Sequence, residues 1–247
     1  MILAAHQPAF LPWLGYLDKV AKADVFVVMD DLQFEAQNFQ NRNRVKLNTG
    51  PGWLTVPLHR GAQSDRIVDK RIDNAGFGSR HHWQHRIRRT LEIHYGKAPH
   101  HARYAADLDD IFRVRWDWLL GLDLCILELA RSALGITVPI VRASTLGVTG
   151  QKTDRILAVC EALGAKVYLS GKGGSADYLD TAQLARAGVA TMWQRFTHPT
   201  YPQRYPHLGF VSHLGFIDLL LNCGPESAAI LWPRPEPLDA VTEGSSL

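Results

Sequence analysis

The chain opens with MILAAHQP (residues 1–8), continues with LPWLGYLDK (residues 11–19) and reaches DVFVVMDD at residues 24–31. An apolar run that stops at polar residues, a helix-like segment that opens near a proline, and a second apolar run are typical of strand, helix and strand. Both runs are almost continuously apolar, which indicates parallel strands buried on two faces. The sequence therefore predicts a right-handed βαβ unit with residues 6–8 at the carboxyl end of its first strand, where ligands of open α/β sheets bind.

Composition limits the class of protein. The chain has 247 residues, 46% of them hydrophobic, which is enough for a substantial core. Its formal net charge is only +3 with dispersed basic residues, so nucleic acid is not an expected partner. We expect one α/β domain over residues 1–232, with a hairpin insertion at 44–58, a helical insertion at 75–135, and a mobile Pro- and Ser-rich tail at 233–247.

The cysteines and the lengths of the apolar segments indicate the cellular compartment of the protein. Cys125, Cys160 and Cys223 are widely spaced in apolar surroundings, which argues against both a disulfide framework and a zinc site. Neither a secretory leader nor a run of eighteen apolar residues occurs. We therefore expect a cytoplasmic protein with no membrane partner.

The rest of the chain alternates strand-like and helix-like segments, which favours a mostly parallel, doubly wound, Rossmann-like sheet. Strands are expected at 137–144, 166–169 and 189–196, and helices at 152–163, 177–186 and 215–222. Two further helices are expected between residues 101 and 135, and one that runs toward Tyr95 with Asn74 or Ser79 as its cap. Residues 44–47 and 53–58 predict a hairpin whose loop, 48–52, is too long for a primed two-residue turn.

Polar residues follow each of the five predicted sheet strands. They are His6 and Gln7; Asp30, Asp31 and Gln33; Ser144; Ser170, Gly171, Lys172, Gly173 and Gly174; and Thr197, His198, Tyr201 and Gln203. Because the carboxyl ends of parallel strands meet at one edge of a sheet, we expect these residues to line one cleft.

Three groups in this set carry specific chemistry. The glycines and Lys172 of the 170–174 segment favour binding of a phosphate or carboxylate, although a plain Gly-rich connector has the same composition. His6, beside Gln7, and His198 are candidate catalytic residues, because a histidine serves as a general base or as a donor to an oxygen. Either histidine could instead only hold a turn.

Charged residues near the predicted hairpin have two interpretations each. Asp30 and Asp31 could hold Mg²⁺ together with a substrate phosphate, or else cap a turn or pair with Arg42 and Arg44. Arg42, Arg44 and Lys46 alternate along a strand and so share one face, which suits a di-anionic ligand or merely a soluble surface.

No metal site is predicted from the histidine-rich segment. Six histidines lie between residues 81 and 101, and four arginines between residues 80 and 89 crowd them with like charge. The pattern indicates a solvated helix face, because a metal site would need carboxylates or thiolates nearby.

The motifs together resemble a known family. They are His6-Gln7-Pro8, Pro12-Trp13, Gly15-Tyr16, Lys19, Asp30-Asp31-x-Gln33, Arg42-x-Arg44, Trp53–Pro57, Tyr168–Gly171, Tyr178–Asp180, His198-Pro199-x-Tyr201-Pro202-Gln203 and Asp218–Glu226. These residues look like the WbqC-like family of bacterial proteins over nearly the whole chain. The resemblance implies group transfer in the biosynthesis of surface polysaccharides or specialised metabolites.

A weaker resemblance concerns layout. The opening unit and the later basic loop are similar in order to the nucleotidyltransferases and pantothenate synthetases of the HUP class, which carry a His-x-Gly-His signature. Here Tyr16 stands in the place of the last histidine, and the loop between Pro8 and Gly15 is longer. A HUP-like sheet order is therefore expected more than adenylyl transfer.

The expected function is transfer of an acyl or aminoacyl group to an amine or hydroxyl of a small metabolite or nucleotide-linked sugar. The alternatives are a nucleotidyl or adenylyl transferase that uses Mg²⁺ and a non-catalytic nucleotide-sugar binding protein. No cofactor is expected to be required, and the partner would be a phosphorylated or thioester-linked small molecule or a carrier protein. The residues expected to contact substrate are Tyr16, Lys19, Asp30, Asp31, Gln33, Arg42, Arg44, Lys46, Ser144, Ser170, Gly171, Lys172, Tyr201 and Gln203.

Overall fold

The computed structural model describes residues 1–173 and 179–233. Its strands are β1 (Ile2–His6), β2 (Val25–Val28), β3 (Arg42–Leu47), β4 (Gly50–Thr55), β5 (Ile140–Arg142), β6 (Val167–Ser170) and β7 (Ala190–Trp193). Its α-helices are α1 (Leu14–Ala21), α2 (Trp83–Tyr95), α3 (His101–Arg113), α4 (Leu119–Leu134), α5 (Lys152–Leu163), α6 (Thr181–Arg186), α7 (Ile217–Cys223) and α8 (Ser227–Leu231). None of the helices within these described residues is long and apolar enough to cross a membrane.

Five strands form one parallel sheet in the order β5-β2-β1-β6-β7. Numbered along the chain within this sheet, the order is 3-2-1-4-5, which is that of a doubly wound fold, so the predicted fold class is confirmed. The direction of winding reverses between β1 and β6. Ligands of such sheets bind at the carboxyl end of this switch point.

The apolar runs of β1 and β2 are buried because helices cover both faces of the sheet. Ala4 and Phe26 belong to one hydrophobic cluster, shared with α1, α4 and α7. Leu3 and Val27 belong to a second cluster, shared with α5 and α6. A strand packed on two faces has no solvent side, so its sequence does not alternate.

The predicted hairpin is present, but the predicted length of its turn is wrong. β3 and β4 pair from Arg42↔Thr55 to Leu47↔Gly50, which leaves a connection of two residues in place of the predicted five. Gly50 has a φ of +116°, a value that suits glycine, and Pro51 and Gly52 then lie within the strand. Proline is tolerated there because each strand of a two-stranded sheet is an edge strand.

The helical insertion contains the three predicted helices, but the first begins later than expected. α2 starts at Trp83, while the Asn74 side chain donates to the Trp116 carbonyl 2.8 Å away instead of capping a helix. His82 precedes α2 and is only 4% exposed, so the predicted solvated face is wrong for this residue. The predicted start of α6 at Asp177, Gly174 of the glycine-rich segment and the tail beyond residue 233 lie outside the described residues.

A buried carboxylate joins the helical insertion to the end of the chain. Asp218 of α7 accepts hydrogen bonds from the Tyr95 hydroxyl at 2.6 Å, the Tyr201 hydroxyl at 2.9 Å and Gln203 Nε2 at 2.6 Å. Tyr95 also accepts a bond from the backbone N–H of Lys46 on β3 at 2.7 Å. The network therefore fixes the hairpin against α2 and α7.

Replacing Tyr95 by Phe should destabilise the protein. The variant leaves the Lys46 N–H and one bond of the Asp218 carboxylate unsatisfied in a buried position, which costs about 1–3 kcal/mol. Urea unfolding measures this loss. Tyr104→Phe is the matched control, because Tyr104 is buried and its hydroxyl has no hydrogen-bond partner among the described residues. A change of the same size in both variants would contradict the role given to the network.

Candidate functional site

The switch point between β1 and β6 brings three segments of the chain together. His6 ends β1, Gly171 directly follows β6, and α1 follows the turn after His6. The first turn of α1 lies close to the segment after β7, where Gln194 Nε2 donates to the Gly15 carbonyl at 2.8 Å. The described part of the chain thus has its candidate site where an open α/β sheet places its ligands.

His6 is held in one orientation by its neighbours. Its Nδ1 lies 3.0 Å from the Gln7 carbonyl oxygen, and its ring makes edge contacts with Trp13 and Tyr16 at centroid distances of 5.4 and 5.0 Å. A carbonyl oxygen only accepts hydrogen bonds, so this contact assigns the ring proton to Nδ1. Nε2 is then unprotonated in the neutral ring, and the side chain is partly exposed.

The environment keeps His6 neutral. Burial, and next the positive charge of Lys19, lower the pKa of His6 from 6.5 to about 3. The imidazole therefore carries no charge near pH 7, and its free nitrogen accepts a hydrogen bond or a proton. This state suits a base and does not suit a cationic donor.

Lys19 is a buried cation without a partner among the described residues. It lies on α1 and is 6% exposed, and the described residues give its Nζ neither a hydrogen bond nor an ion pair. Burial lowers the pKa of Lys19 from 10.5 to about 8. A β-carbon built on Gly171 would lie only 3.2 Å from this Nζ, so the glycine leaves the space beside the ammonium open. An anionic group in that space would stabilise the charge.

Tyr16 and Gln7 are the further neighbours of His6. The Tyr16 ring packs between His6 and Phe26, and burial followed by the nearby Asp123 carboxylate raises the pKa of its hydroxyl. Gln7 Nε2 donates to Glu35 at 3.4 Å, and its Oε1 accepts from Gln40 at 2.9 Å. Gln7 thereby joins the end of β1 to the loop that follows β2.

Asp30 and Asp31 do not pair with Arg42 and Arg44, so that predicted pairing is wrong. Asp30 accepts from Arg142 Nε at 2.8 Å and from the backbone N–H and hydroxyl of Ser144 at 2.9 and 2.7 Å. Asp31 forms an ion pair with Arg155 that leaves its Oδ1 without a partner. The partners lie more than a hundred residues away in sequence; the pairing of β2 with β5 brings Arg142 to Asp30, and α5 carries Arg155.

These bonds bear on the magnesium alternative. Both Asp30 oxygens are already used by an arginine and a serine, and Asp31 shares its charge with Arg155. Within residues 1–173 and 179–233, no group of three His, Cys, Asp or Glu residues is arranged to hold a metal ion. The carboxylates thus fit poorly as ligands of Mg²⁺, which prefers several oxygen ligands in octahedral geometry.

The three cations of β3 have different surroundings. The guanidinium carbons of Arg42 and Arg44 lie 4.3 and 5.8 Å from the ring centroid of Trp53, which is 47% exposed. Lys46 is fully buried, and its Nζ donates to the Gly209 carbonyl at 2.6 Å and to Gln203 Oε1 at 3.2 Å. Only Arg42 and Arg44 of the three remain accessible to a ligand.

The polar side chains that follow β7 are largely used in hydrogen bonds within the protein. Tyr201 and Gln203 bond to Asp218, as described above. His198 Nδ1 lies 2.8 Å from the Pro199 carbonyl, and its Nε2 accepts from the His213 backbone N–H at 3.1 Å. Both ring nitrogens of His198 therefore have partners, which makes His6 the better placed base.

The remaining predicted contacts lie at the edges of the site. The Ser170 side chain is fully buried and its Oγ donates to the Gly171 carbonyl at 3.3 Å. Lys172 is exposed just before the residues that are not described. Gln33 is exposed and its Nε2 donates to the Gln63 carbonyl at 2.8 Å. The structure gathers His6, Gln7, Tyr16, Lys19 and Gly171 closely and leaves the other predicted residues at the rim or in the framework.

Sequence reasoning missed Gln194 and Asp123. Gln194 follows the end of β7 and donates to Asp18 at 2.7 Å. It was missed because the predicted strand extended to Phe196, which placed Gln194 inside the strand instead of after its end. Asp123 lies inside the apolar face of α4, where burial raises the pKa of its carboxyl well above 3.8 and both oxygens lack partners. A lone acidic residue in an apolar helix face is the signal that could have found it.

The cysteines offer no reactive thiolate. Cys125, Cys160 and Cys223 are free. Burial first, and then a nearby acidic side chain, raise the pKa of Cys160 and of Cys223 to about 11. Both thiols are therefore protonated at neutral pH, which disfavours a cysteine nucleophile.

Comparisons with known proteins agree with the sequence motifs. The model of the WbqC-like protein family matches residues 7–230. An uncharacterized protein of Mycobacterium tuberculosis, Rv1507c, is 30% identical over 229 residues, which cover 91% of this chain and 95% of that protein. No solved structure matches the chain significantly. With a family match over most of its length and a relative of similar extent, the chain belongs to the WbqC-like protein family.

Proposed function

We propose that this protein transfers an acyl or aminoacyl group from an activated donor to an amine or hydroxyl of a small metabolite or nucleotide-linked sugar. One observation carries the proposal: a neutral imidazole with an unprotonated Nε2 lies near a buried ammonium that has no partner among the described residues. A base that takes the proton of the attacking group and a cation for an anionic substrate are the two groups that such a transfer needs.

His6 acts as the general base. The lone pair of the acceptor nitrogen or oxygen attacks the carbonyl carbon of a thioester, while its proton passes to His6 Nε2. The tetrahedral intermediate then collapses, the carbon–sulfur bond breaks, and the departing thiolate takes the proton from His6. The products are an amide or ester and a free thiol, and the imidazole returns to its neutral form.

Lys19 adjusts the basicity of His6. With the site empty, the ammonium lowers the pKa of His6, which makes the imidazole a weak base. A substrate phosphate or carboxylate bound at Lys19 would cancel part of that positive charge. The pKa of His6 would then rise toward the operating pH, where a base is most effective. The base thus becomes stronger when a substrate is bound.

The positive charges at the site also indicate the chemical class of the group donor. A thioester with an anionic group, or a phosphorylated small molecule, suits the space between Lys19 and Gly171, with Arg42 and Arg44 near the hairpin as further cations. A carrier protein could present the same thioester. Surface-polysaccharide or specialised-metabolite biosynthesis is the setting proposed from family membership.

Replacement of His6 by Ala separates an enzyme from a binding protein. Loss of the base should lower turnover about 10²- to 10⁴-fold while ligand binding by calorimetry changes little. His85→Ala is the control, because His85 is an exposed residue of α2 with no hydrogen-bond partner among the described residues. Unchanged turnover in His6→Ala would remove His6 from the mechanism, and wild-type binding without turnover over a broad substrate panel would favour the binding protein.

Metal removal separates acyl transfer from nucleotidyl transfer. Acyl transfer by His6 and Lys19 should survive EDTA and release no pyrophosphate from ATP, because neither residue acts through Mg²⁺. Asp31→Asn should also lower activity less than Lys19→Met does. Steady-state rates and a pyrophosphate assay measure both. Pyrophosphate release that depends on Mg²⁺ and on Asp30 would overturn the proposal in favour of a nucleotidyl transferase.

The buried ammonium predicts a pH-dependent stability. Between pH 8 and 10.5 the unfolded chain keeps the Lys19 proton while the folded chain has lost it, so the free energy of unfolding rises with pH in that window. At about 1.4 kcal/mol per pKa unit, the shift from 10.5 to about 8 sets an upper bound of about 3.5 kcal/mol. Lys19→Met should therefore be more stable than the wild type at pH 7, and the difference should shrink toward pH 10.5.

Urea unfolding of both proteins at pH 7 and pH 10 measures this difference. Lys97→Met, at an exposed lysine, is the control and should follow the wild type at both pH values. Inorganic phosphate should stabilise the wild type at pH 7 and have little effect on Lys19→Met. An equal stability gap at the two pH values would show that the ammonium is not held in an unfavourable site.

A further inference from the structure

A polar cavity of about 710 Å³ lies between two loops, one of which is hydrogen-bonded to Gln7 of the candidate site. Its walls are the loop that follows β2, residues 33–41, and the segment that follows β4, residues 58–63, and Lys70 also lines it. The volume falls within the range of about 300–1,000 Å³ that is usual for small-molecule sites. We call it the loop cavity.

The walls of the loop cavity are fixed to one another. The Phe34 N–H donates to the Asp65 carbonyl at 2.8 Å, and Gln33 Nε2 donates to the Gln63 carbonyl at 2.8 Å. Lys70 is 6% exposed, pairs with Asp65 at 3.1 Å and lies 5.0 Å from the centroid of the Phe34 ring. The cavity is therefore formed before any ligand binds.

The lining of the cavity is rich in carboxamides. Gln33, Gln37, Asn41 and Gln63 contribute four of them. The Gln33 and Asn41 amide oxygens accept no hydrogen bond within the described chain, and the Gln37 and Gln63 side chains make none there. A carboxamide both donates and accepts hydrogen bonds, as a hydroxyl group does. These side chains are thus free to bind a ligand with several hydroxyl groups.

The charges and the apolar surface of the cavity lining further limit the class of ligand. The charges of the lining nearly cancel, because Glu35 opposes Arg60 and the Lys70 charge is already paired with Asp65. Phe34 and Leu58 supply an apolar surface for the carbon face of a ring. The chemistry favours a neutral polyhydroxylated ring over an anion or an apolar chain.

Gln7 connects the loop cavity to the proposed base. It follows His6 directly, and its amide is held by Glu35 at 3.4 Å and Gln40 at 2.9 Å. Glu35 also lines the cavity. The bond to Glu35 is long, so a ligand hydroxyl could replace it at small cost. A ligand in the cavity would then lie next to the end of β1.

We propose that the loop cavity binds a neutral sugar-like group of the acceptor and directs its reacting hydroxyl or amine toward His6. The inference rests on the proposed function for the direction of transfer, whereas the binding of a polyhydroxylated ring stands on the cavity alone. Anion binding at Lys19 and sugar binding in the loop cavity would then hold the two substrates at separate places. The ammonium would hold the donor and the carboxamides would hold the acceptor.

A cavity-filling variant tests the binding site. Ala62 is an exposed residue that lines the cavity, and Ala62→Trp would fill part of it without touching His6 or Lys19. Saturation-transfer NMR with neutral hexoses and N-acetylhexosamines should show binding to the wild type, and Ala62→Trp should weaken it at least tenfold. Ala106→Trp, at an exposed position of α3, is the matched control and should bind these sugars as the wild type does.

The outcomes separate this inference from the proposed function. Sugar binding that is lost in Ala62→Trp but kept in Lys19→Met and His6→Ala supports the loop cavity, whether or not transfer activity is found. Absence of sugar binding in the wild type, or equal binding in Ala62→Trp and the wild type, overturns it. Phosphate stabilisation that persists in Ala62→Trp shows that the variant is folded with an intact Lys19 site.

Discussion

β1 pairs in parallel with β2 on one side and with β6 on the other, and the rest of the structure depends on this double pairing. Right-handed crossovers that leave a central strand in opposite directions lie on opposite faces of the sheet, so the strand is buried above and below. They also open a crevice at its carboxyl end, since the connections there diverge. His6 occupies that position because it is the last residue of the central strand.

The carboxyl edge of the sheet contains polar residues of two kinds. Asp218 and its donors form a closed network that holds the hairpin and α7 together, and Asp30 does the same for β2 and β5. Polar groups whose bonds are all made inside the protein stabilise the fold and have little capacity left for a ligand. His6 and Lys19 differ, because within the part of the chain that the structure describes His6 Nε2 and the Lys19 ammonium have no partner.

The proximity of the His6 imidazole and the Lys19 ammonium has an energetic consequence. Burying an unpaired ammonium destabilises the folded chain, and proteins rarely retain such a group except where a ligand completes it. The same charge lowers the pKa of the neighbouring imidazole. In the mechanism we propose, binding of an anionic substrate would raise this pKa through electrostatics, without a conformational change. The loop cavity adds carboxamides that carry no net charge.

The sequence alone determined the βαβ opening, the parallel sheet and the polar carboxyl edge, because hydrophobic periodicity is a local property of the chain. It also predicted that His6 and Gly171 line one cleft, whereas Lys19 entered only among the residues expected to contact substrate. Tertiary structure decided the partners: Asp30 bonds to Arg142 and Ser144, and Lys46 is buried against Gly209. These partners depend on which segments, distant in sequence, come into contact in the fold. The spacing of residues along the chain does not specify such contacts. For the same reason, only the folded chain shows that Lys19 has no hydrogen-bond or ion-pair partner among the described residues and that four carboxamides line one cavity.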